Sequence, residues 1–339
     1  MGAANALISN SFGIATRAKK VFELNSIEQL AALAKATSNE EYLILGGASN
    51  VLFTQDFDGL VVRNKLKGLQ IEPLPAGKHK VTSGAGENWA DFVDTMTVKG
   101  LFGLENLSLI PGSVGASPIQ NIGAYGIEMC QSFHELKAFS LATGVTQTFT
   151  KQDCAFAYRD SVFKRPDMRQ WLITEVSFIL DETAVIELGY GDLKTEALKL
   201  AAQQGQAQPT HSQVAEAVKS IRRSKLPDPA LIGSAGSFFK NPKISNAQLA
   251  ELRINHPTLQ AYPVTDDESQ QKISAGWLID KAGWKGFRRG DAGVHKDHAL
   301  VLVNYGIATG KEIWRLALDI QASVNDKFHV LIEPEPIVI

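Results

Sequence analysis

The sequence predicts an α+β protein built in parts. Three observations predict it. The 339 residues suit two or three domains at ~100–200 residues each. Strand-like and helix-like stretches are both present, but without the long β-α-β series of a doubly wound parallel sheet. The texture changes twice, near residue 66 and across the polar, Gln-rich stretch 201–213. These breaks give three expected parts: 1–66, 67–210 and 211–332.

The first part reads as a small β-α-β-β unit. A short strand over 18–25 leads to Ser26 and Gln29, which have capping-box spacing. Ile27, Leu30, Leu33 and Ala34 then recur on one helical face. Tyr42–Leu45 is a compact apolar strand cut off by Gly46 and Gly47, and Leu60–Arg63 is another. In the second part short strands dominate: Lys80–Thr82, Phe133–Phe139 and Trp171–Ile179. One helix is expected from Asn88 to Lys99, with Gly100 as its C-terminal cap. Residues 201–213 read as a connection, after which Val214, Val218 and Ile221 share a helical face. In the last part the clearest helix runs from Lys311 to Phe328 behind a capping box of Thr309 and Glu312. Leu300–Val303 and Val330–Ile332 are expected strands.

Composition excludes several function classes. Thirty-four basic residues against 36 acidic ones give a net charge of −2, so nothing points to nucleic acid or a membrane surface. There is no apolar run near ~18 residues, so no membrane insertion is expected. The first twenty residues lack a basic region followed by an apolar core, so no secretion signal is expected. The two cysteines, Cys130 and Cys154, suit a reducing cytoplasm and exclude a disulfide framework. His295 and His298 are three apart, but no acidic partner completes a metal set, and no metal is expected.

Two segments carry candidate ligand chemistry. In LILGGASNVLF, 43–53, two glycines follow a strand and precede Ser49 and Asn50. Such a turn can aim backbone N–H groups at a phosphate, and it also reads as a plain strand-ending turn. LENLSLIPGSVGASPIQNIGAYG, 104–126, has four glycines and almost no charge after Glu105. A segment of this kind brings main chain close to a flat, polar ring system, and its length without regular structure favours a functional loop. A third segment, SGAGENW at 83–89, imitates a dinucleotide fingerprint, but Trp89 is too bulky for its third glycine.

Ser237 poses a separate question. In AGSFFKNP, 235–242, it stands between Gly236 and two aromatics. Either Phe238 and Phe239 anchor a loop that presents Ser237 and Lys240, or this is a core strand with a polar edge. Cations are scattered elsewhere. Arg159, in YRDS, could clamp a carboxylate in bidentate fashion. Arg222, Arg223 and Lys225 cluster in IRRSKLPDP.

Taken together, the ordered segments resemble the UDP-N-acetylenolpyruvoylglucosamine reductase family. They are NSFGIATRA at 10–18, ILGGASNVLF at 44–53, SGAGENW, GLENLSLIPGSVGASPIQNIGAYG at 103–126 and FAYRDSVFK at 156–164. The set continues through YGDL at 190–193, RRSKLPDP at 222–229, AGSFFKNP, AGWLIDKAG at 275–283, VHKDHALVLVN at 294–304 and IEPE at 332–335. The GGAS turn departs mildly from the family's commoner G-x-G-S form.

The resemblance implies a two-part FAD-binding domain of the vanillyl-alcohol-oxidase-like class, over 1–66 and 67–210. A C-terminal α+β substrate-binding domain follows, over 211–332, and the tail 333–339 is expected to return to the first part. It implies NADPH-dependent reduction of UDP-N-acetylglucosamine enolpyruvate to UDP-N-acetylmuramate, in peptidoglycan precursor synthesis and hence in cell-wall building, shape and division. Hydride passes from reduced flavin to the β-carbon of an enol ether, and charge spreads from the α-carbon into the adjoining carboxylate. The family's arginine and glutamate for that carboxylate match Arg159 and Glu335, and its proton-donating serine matches Ser237. The implied FAD contacts are Leu45, Gly46, Gly47, Ala48, Ser49, Asn50, Pro111, Gly112, Gly115, Ala116, Ser117, Gln120, Asn121, Ile122, Gly123, Tyr125, Gly126 and Arg222. The implied substrate contacts are Tyr190, Lys225, Asn241, Tyr262 and His298, with Tyr190 marking the subclass whose loop closes over substrate. The enzyme is expected in the cytoplasm as a monomer, with FAD held non-covalently, because neither glycine-rich segment contains the His or Cys of a covalent tether. An oxidase of the same fold acting on an alcohol or sugar leaves Ser237 and Glu335 unexplained, and a non-catalytic flavin module leaves all three catalytic positions unexplained.

Overall fold

Two sheets carry the N-terminal half of the chain. In the computed structural model, which describes residues 3–229, 231–264 and 267–339, the first has four strands in the order Ala3–Ile8, Thr16–Leu24, Phe57–Asn64, Tyr42–Leu45. Its last two pairings are parallel. The second has five antiparallel strands in the order Thr146–Thr150, Phe133–Ser140, Trp171–Asp181, Lys78–Gly84, Leu69–Pro73. The change of sheet falls between Asn64 and Leu69.

Local sequence accounts for the elements that hold these sheets. The capping box at Ser26 is formed, and Leu30 and Leu33 are buried from the helix that follows it. Asn88 caps the helix Trp89–Val98 by accepting from Asp91 N at 3.1 Å. Trp89 is no failed glycine here. It is buried, rests on Phe178 and Phe92, and donates from its ring nitrogen to the Leu107 carbonyl at 3.0 Å. It therefore ties the helix to the glycine-rich segment, with about 1.5–3 kcal/mol of apolar burial behind it.

The chain divides into two compact units. One holds the residues up to Ile8, Arg17–Ser49 and Phe57–Ser224, and the other holds Ser9–Thr16, Asn50–Asp56 and Lys225–Ile339. The expected break at 210 thus falls at 224. The reason is an apolar seam: Val214, Ala217, Val218 and Ile221 of the helix His211–Lys225 pack with Leu193 and Ala197 of a helix Leu193–Gln203. The end of that second helix, 201–203, and the start of the helix His211–Lys225 occupy both ends of the expected connection 201–213, and only 204–210 is irregular.

In the second unit the strands Gly233–Ser237, Val301–Asn304, Ala292–Val294 and Arg288–Arg289 form one antiparallel sheet. A smaller one joins Lys243–Ser245, Gln270–Ile273 and Ala261–Pro263. The helix Gly310–Phe328, capped by Thr309 and Glu312, buries Ile313, Leu316, Ile320, Val324 and Phe328 in one core with Phe12, Leu52 and Phe238. Phe12 and Leu52 come from the two borrowed segments. The tail pairs Ile337 with Val51 and Val338 with Leu52, and residues 50–56 belong with it to this second unit. Val330–Ile332 is not a strand. Val330 and Ile332 are buried, and the Ile332 carbonyl accepts from the Gln321 side chain at 2.6 Å instead of from a ladder.

Candidate active site

In the first unit the two glycine-rich segments meet. A Cβ on Gly46 would lie 2.1 Å from Ser113 Oγ, and one on Gly47 would lie 3.0 Å from Gly112 Cα. Gly47 therefore lets the two main chains touch, and Gly46 leaves room for the Ser113 side chain. Ala48 turns left-handed at φ +47°, next to Ser49, whose hydroxyl donates to the Pro111 carbonyl at 3.2 Å. Turns of this kind aim successive amides at one anion. The second segment is a series of tight turns, with 3-10 turns at Glu105–Leu107 and Val114–Ala116. Val114 N and Gly115 N donate to Glu87 and Ala85 at 2.9 and 2.8 Å, so the strip is fastened to the sheet end behind it. Ser108 within it is fully buried, and its hydroxyl has no partner among the described residues. Close main chain, small side chains and scarce charge are the features a flat, polar ring system would need here.

The cradle is braced from the helix His211–Lys225. Arg222 Nε donates to the Leu109 carbonyl at 3.3 Å, where Leu109 sits at φ +60°. Burial pulls the Arg222 guanidinium below its ordinary value, and the Tyr125 hydroxyl opposes that pull. Burial likewise raises the Tyr125 phenol, against the nearby Arg222. At the other end of the helix His211 Nδ1 meets Glu105 Oε1 at 2.5 Å and stacks on Phe102, with ring centres 3.9 Å apart. The second Glu105 oxygen accepts from Gly103 N at 2.7 Å. Asn106 donates to the Tyr125 and Glu187 carbonyls at 2.8 and 3.0 Å. The sequence reading missed Glu105, Asn106 and His211 as supports. Glu105 and Asn106 stand in the quoted motif, whereas His211 was hidden in the polar stretch.

Arg159 lies beside this cradle. It sits at φ +53° in the turn Ala157–Asp160, and its Nη2 donates to the Gly123 carbonyl at 2.5 Å. Ile122 precedes, and Gly123, Tyr125 and Gly126 belong to, the small hairpin Gly123–Glu128. Tyr190 meets Tyr125 edge-on at 6.2 Å and is half exposed. The first unit thus gathers Arg159, Tyr190 and Arg222 around the cradle segments.

The second unit builds a different group around Ser237. Register slips between Ser234, opposite Val303, and Ser237, opposite Val301. The extra residue is a bulge at Ala235–Gly236, and Gly236 takes φ +73° there. The bulge leaves Ser237 exposed while Phe238 and Phe239 go into the core at 0% and 1% exposure, edge-to-face with each other at 5.2 Å. Both readings of the octapeptide were half right: it is a strand end, and its aromatics do anchor it. The tail then lies alongside. Glu335 N donates to the Phe238 carbonyl at 2.8 Å, and Lys240 N donates to the Glu333 carbonyl at 2.9 Å. Glu335 is therefore brought to the Ser237 turn through main chain. Asn241 Oδ1 accepts from Ala275 N at 3.0 Å, which holds the first turn of a helix. His298 gives its carbonyl to Val301 N at 3.0 Å and stacks on His295 at 5.2 Å. Burial, and then His298, lowers the His295 imidazole. Tyr262 stands apart on the outer strand of the three-stranded sheet, half exposed, with its hydroxyl on Gln260. Lys225 ends its helix, and Asn50 donates to the Glu335 carbonyl at 3.4 Å.

Comparison with known proteins bears on what these two groups serve. Residues 228–339 match the family described as "UDP-N-acetylenolpyruvoylglucosamine reductase, C-terminal domain", and residues 18–150 match "FAD binding domain". A UDP-N-acetylenolpyruvoylglucosamine reductase of Pseudomonas fluorescens is 46% identical over 96% of this chain and 95% of its own length. That of Chromobacterium violaceum is 45% identical over 97% and 96%. The chain belongs to the UDP-N-acetylenolpyruvoylglucosamine reductase family. It is an FAD-dependent oxidoreductase with an FAD-binding region followed by the C-terminal domain of this reductase. The crystal structure of the Thermus caldophilus reductase covers 97% of this chain and 95% of that one, with a TM-score of 0.63 at 22% identity, which shows the shared fold. Among the described residues of this reductase, no helix is long and apolar enough to cross a membrane, and no three metal-ligating side chains gather.

Proposed function

We propose that the chain reduces UDP-N-acetylglucosamine enolpyruvate to UDP-N-acetylmuramate with NADPH, in the cytoplasm, as a step of peptidoglycan precursor synthesis. The observation that carries this reading is the construction around Ser237. A surface serine on a left-handed glycine bulge is locked by two buried phenylalanines and flanked by a tail that delivers Glu335. That is a great deal of structure to hold one hydroxyl still.

The chemistry assigns each residue a task. Bound FAD, held without a covalent link, supplies the hydride that reaches the β-carbon of the enol ether. Charge then builds on the α-carbon and in the carboxylate beside it. The Arg159 guanidinium takes two carboxylate oxygens at once, and a charge-assisted pair of this kind is about twice as strong as a neutral hydrogen bond. Glu335 acts beside the same carboxylate and must bring a proton or a paired cation there, since two bare carboxylates repel. Ser237 Oγ gives its proton to the α-carbon and regains one from solvent. An alcohol is a weak acid, but a fixed donor close to an unstable carbanion overcomes that handicap. Tyr190, Asn241, Tyr262 and His298 contact the substrate, and Lys225 suits its diphosphate. NADPH and substrate use one site in turn.

Ser237→Ala tests the reading. Followed by stopped flow, reduction of the bound flavin by NADPH should keep its rate. Reoxidation by the enolpyruvyl substrate should slow by more than ~10²-fold, the lower end for a positioned proton donor. Equal slowing of both half-reactions would make Ser237 a structural residue and sink the assignment.

A further inference from the structure

Arg159 must hold a planar cation at one spot, yet it is a strained residue on a short turn. Its φ of +53° is uncommon for a side chain of its size and is strained. Such a conformation persists only where the surroundings over-determine it. Here the turn is closed by two reciprocal main-chain hydrogen bonds between Ala157 and Asp160, both 3.1 Å. Its outer end is held by Ser161 Oγ on the Ile119 carbonyl at 2.7 Å and by Lys164 Nζ on Arg159's own carbonyl at 2.9 Å. Its inner end is held by Asn121.

Asn121 is fully buried and itself left-handed, at φ +45°. Its amide is divided among three partners on two pieces of chain, 128–130 and Ala157. Nδ2 donates to Glu128 Oε2 at 2.8 Å and to the Ala157 carbonyl at 3.1 Å. Oδ1 accepts from Cys130 N at 3.1 Å. Two acceptors face the nitrogen and one donor faces the oxygen, so the amide orientation is fixed by its surroundings. Both N–H groups are consumed inside the protein. The implied role of Asn121 as an FAD contact cannot run through those donors.

We propose that Asn121 is a positioning residue for Arg159. The turn is tied to the loop 119–123 through Asn121, and the guanidinium is tied to the same loop through the Gly123 carbonyl. One loop therefore sets both the root and the tip of the arginine. Glu128 fixes the amide, and the amide fixes the turn. This role rests on the reading of Arg159 given under Proposed function, since a misplaced guanidinium matters only where it meets developing charge.

A double-mutant cycle on the FAD-loaded enzyme tests it, read by two quantities: the rate of reoxidation by the enolpyruvyl substrate, and FAD affinity from flavin fluorescence. Asn121→Ala should slow reoxidation about 10- to 100-fold, the scale of a group displaced by about 1 Å. In an Arg159→Ala background the same change should cost less than about twofold, because there is no guanidinium left to misplace. FAD affinity should change less than about threefold in both. If Asn121→Ala fails to fold, as judged by circular dichroism, Asn121→Gly replaces it, since glycine accepts the left-handed backbone, removes the amide and brings no charge beside Glu128. Equal slowing in both backgrounds overturns the proposal. So does a loss of FAD affinity beyond tenfold with the saturated rate intact, which would make the side chain a cofactor contact after all. If Arg159→Ala alone leaves reoxidation unchanged, the reading of Arg159 fails, and this role falls with it for that separate reason.

Discussion

Glu105 is only 3% exposed. Burial pushes its carboxyl up, but the hydrogen bonds from His211 and from Gly103 N outweigh burial and leave it below its ordinary value of 4.5. A carboxylate whose folded value is depressed stabilises the fold above its unfolded value, and loses that contribution as pH falls through the folded one. Glu105→Gln should therefore lower stability at neutral pH by about 3 kcal/mol, the lower range for breaking a buried pair. The gap to the native protein should close as pH drops below about 4.5, where the unfolded carboxyl takes up its proton. Thermal melts of both proteins across that range measure it, and a gap independent of pH would show that charge is not what holds the pair. Half of this pair was legible. Glu105 stands in a motif, but His211 lies 106 residues away in a glutamine-rich stretch. A single long-range pairing leaves no local period to read.

At the scale of elements, the tail shows the same divide. Apolar residues stand on both sides of Glu333–Glu335, in 330–332 and 337–339, and the tail is fastened through Phe238, Lys240, Val51 and Leu52. Its partners were not legible, because a two-residue strand has no alternation to display. Val330 and Ile332 have the composition of a strand, yet they pack without pairing. The helix Leu193–Gln203 escaped because alanine forms much of its apolar face: its buried residues are Leu193, Ala197 and Ala201. Helices with strong caps and faces of large apolar residues, such as Gly310–Phe328 with Ile313, Leu316, Ile320, Val324 and Phe328, are legible almost to the residue. Removing residues 334–339 should abolish reduction of the enolpyruvyl substrate and lower the melting temperature, while the protein stays yellow, since all residues assigned to FAD except Asn50 lie in the other unit. Intact turnover after that truncation would remove Glu335 from the mechanism.

At the scale of the whole molecule, the chain passes between its two units five times, as residues 9–16 and 50–56 leave the first and join the second. No local pattern announces such a loan, and the expected domain limits, drawn as continuous stretches, missed it. The loan is intimate. A Cβ on Gly310 would lie 1.7 Å from the Phe53 carbonyl, and one on Gly233 would lie 2.1 Å from that of Phe12. A fragment of residues 225–339 should accordingly not fold alone. Its amide spectrum should be collapsed, and addition of a peptide spanning 9–16 should not rescue it while 50–56 is missing. A cooperative melt from the bare fragment would refute this. The same loan fixes an order of events during synthesis. Phe12 offers its carbonyl to the Asn304 side chain, 292 residues further on. A ribosome adding ~5–20 residues per second needs roughly 15–60 s to cover that distance. Through that interval Phe12 and Leu52 have no core to enter, so the nascent protein carries two sticky apolar segments near its start, and a chaperone that shields them early would raise the yield of the finished enzyme.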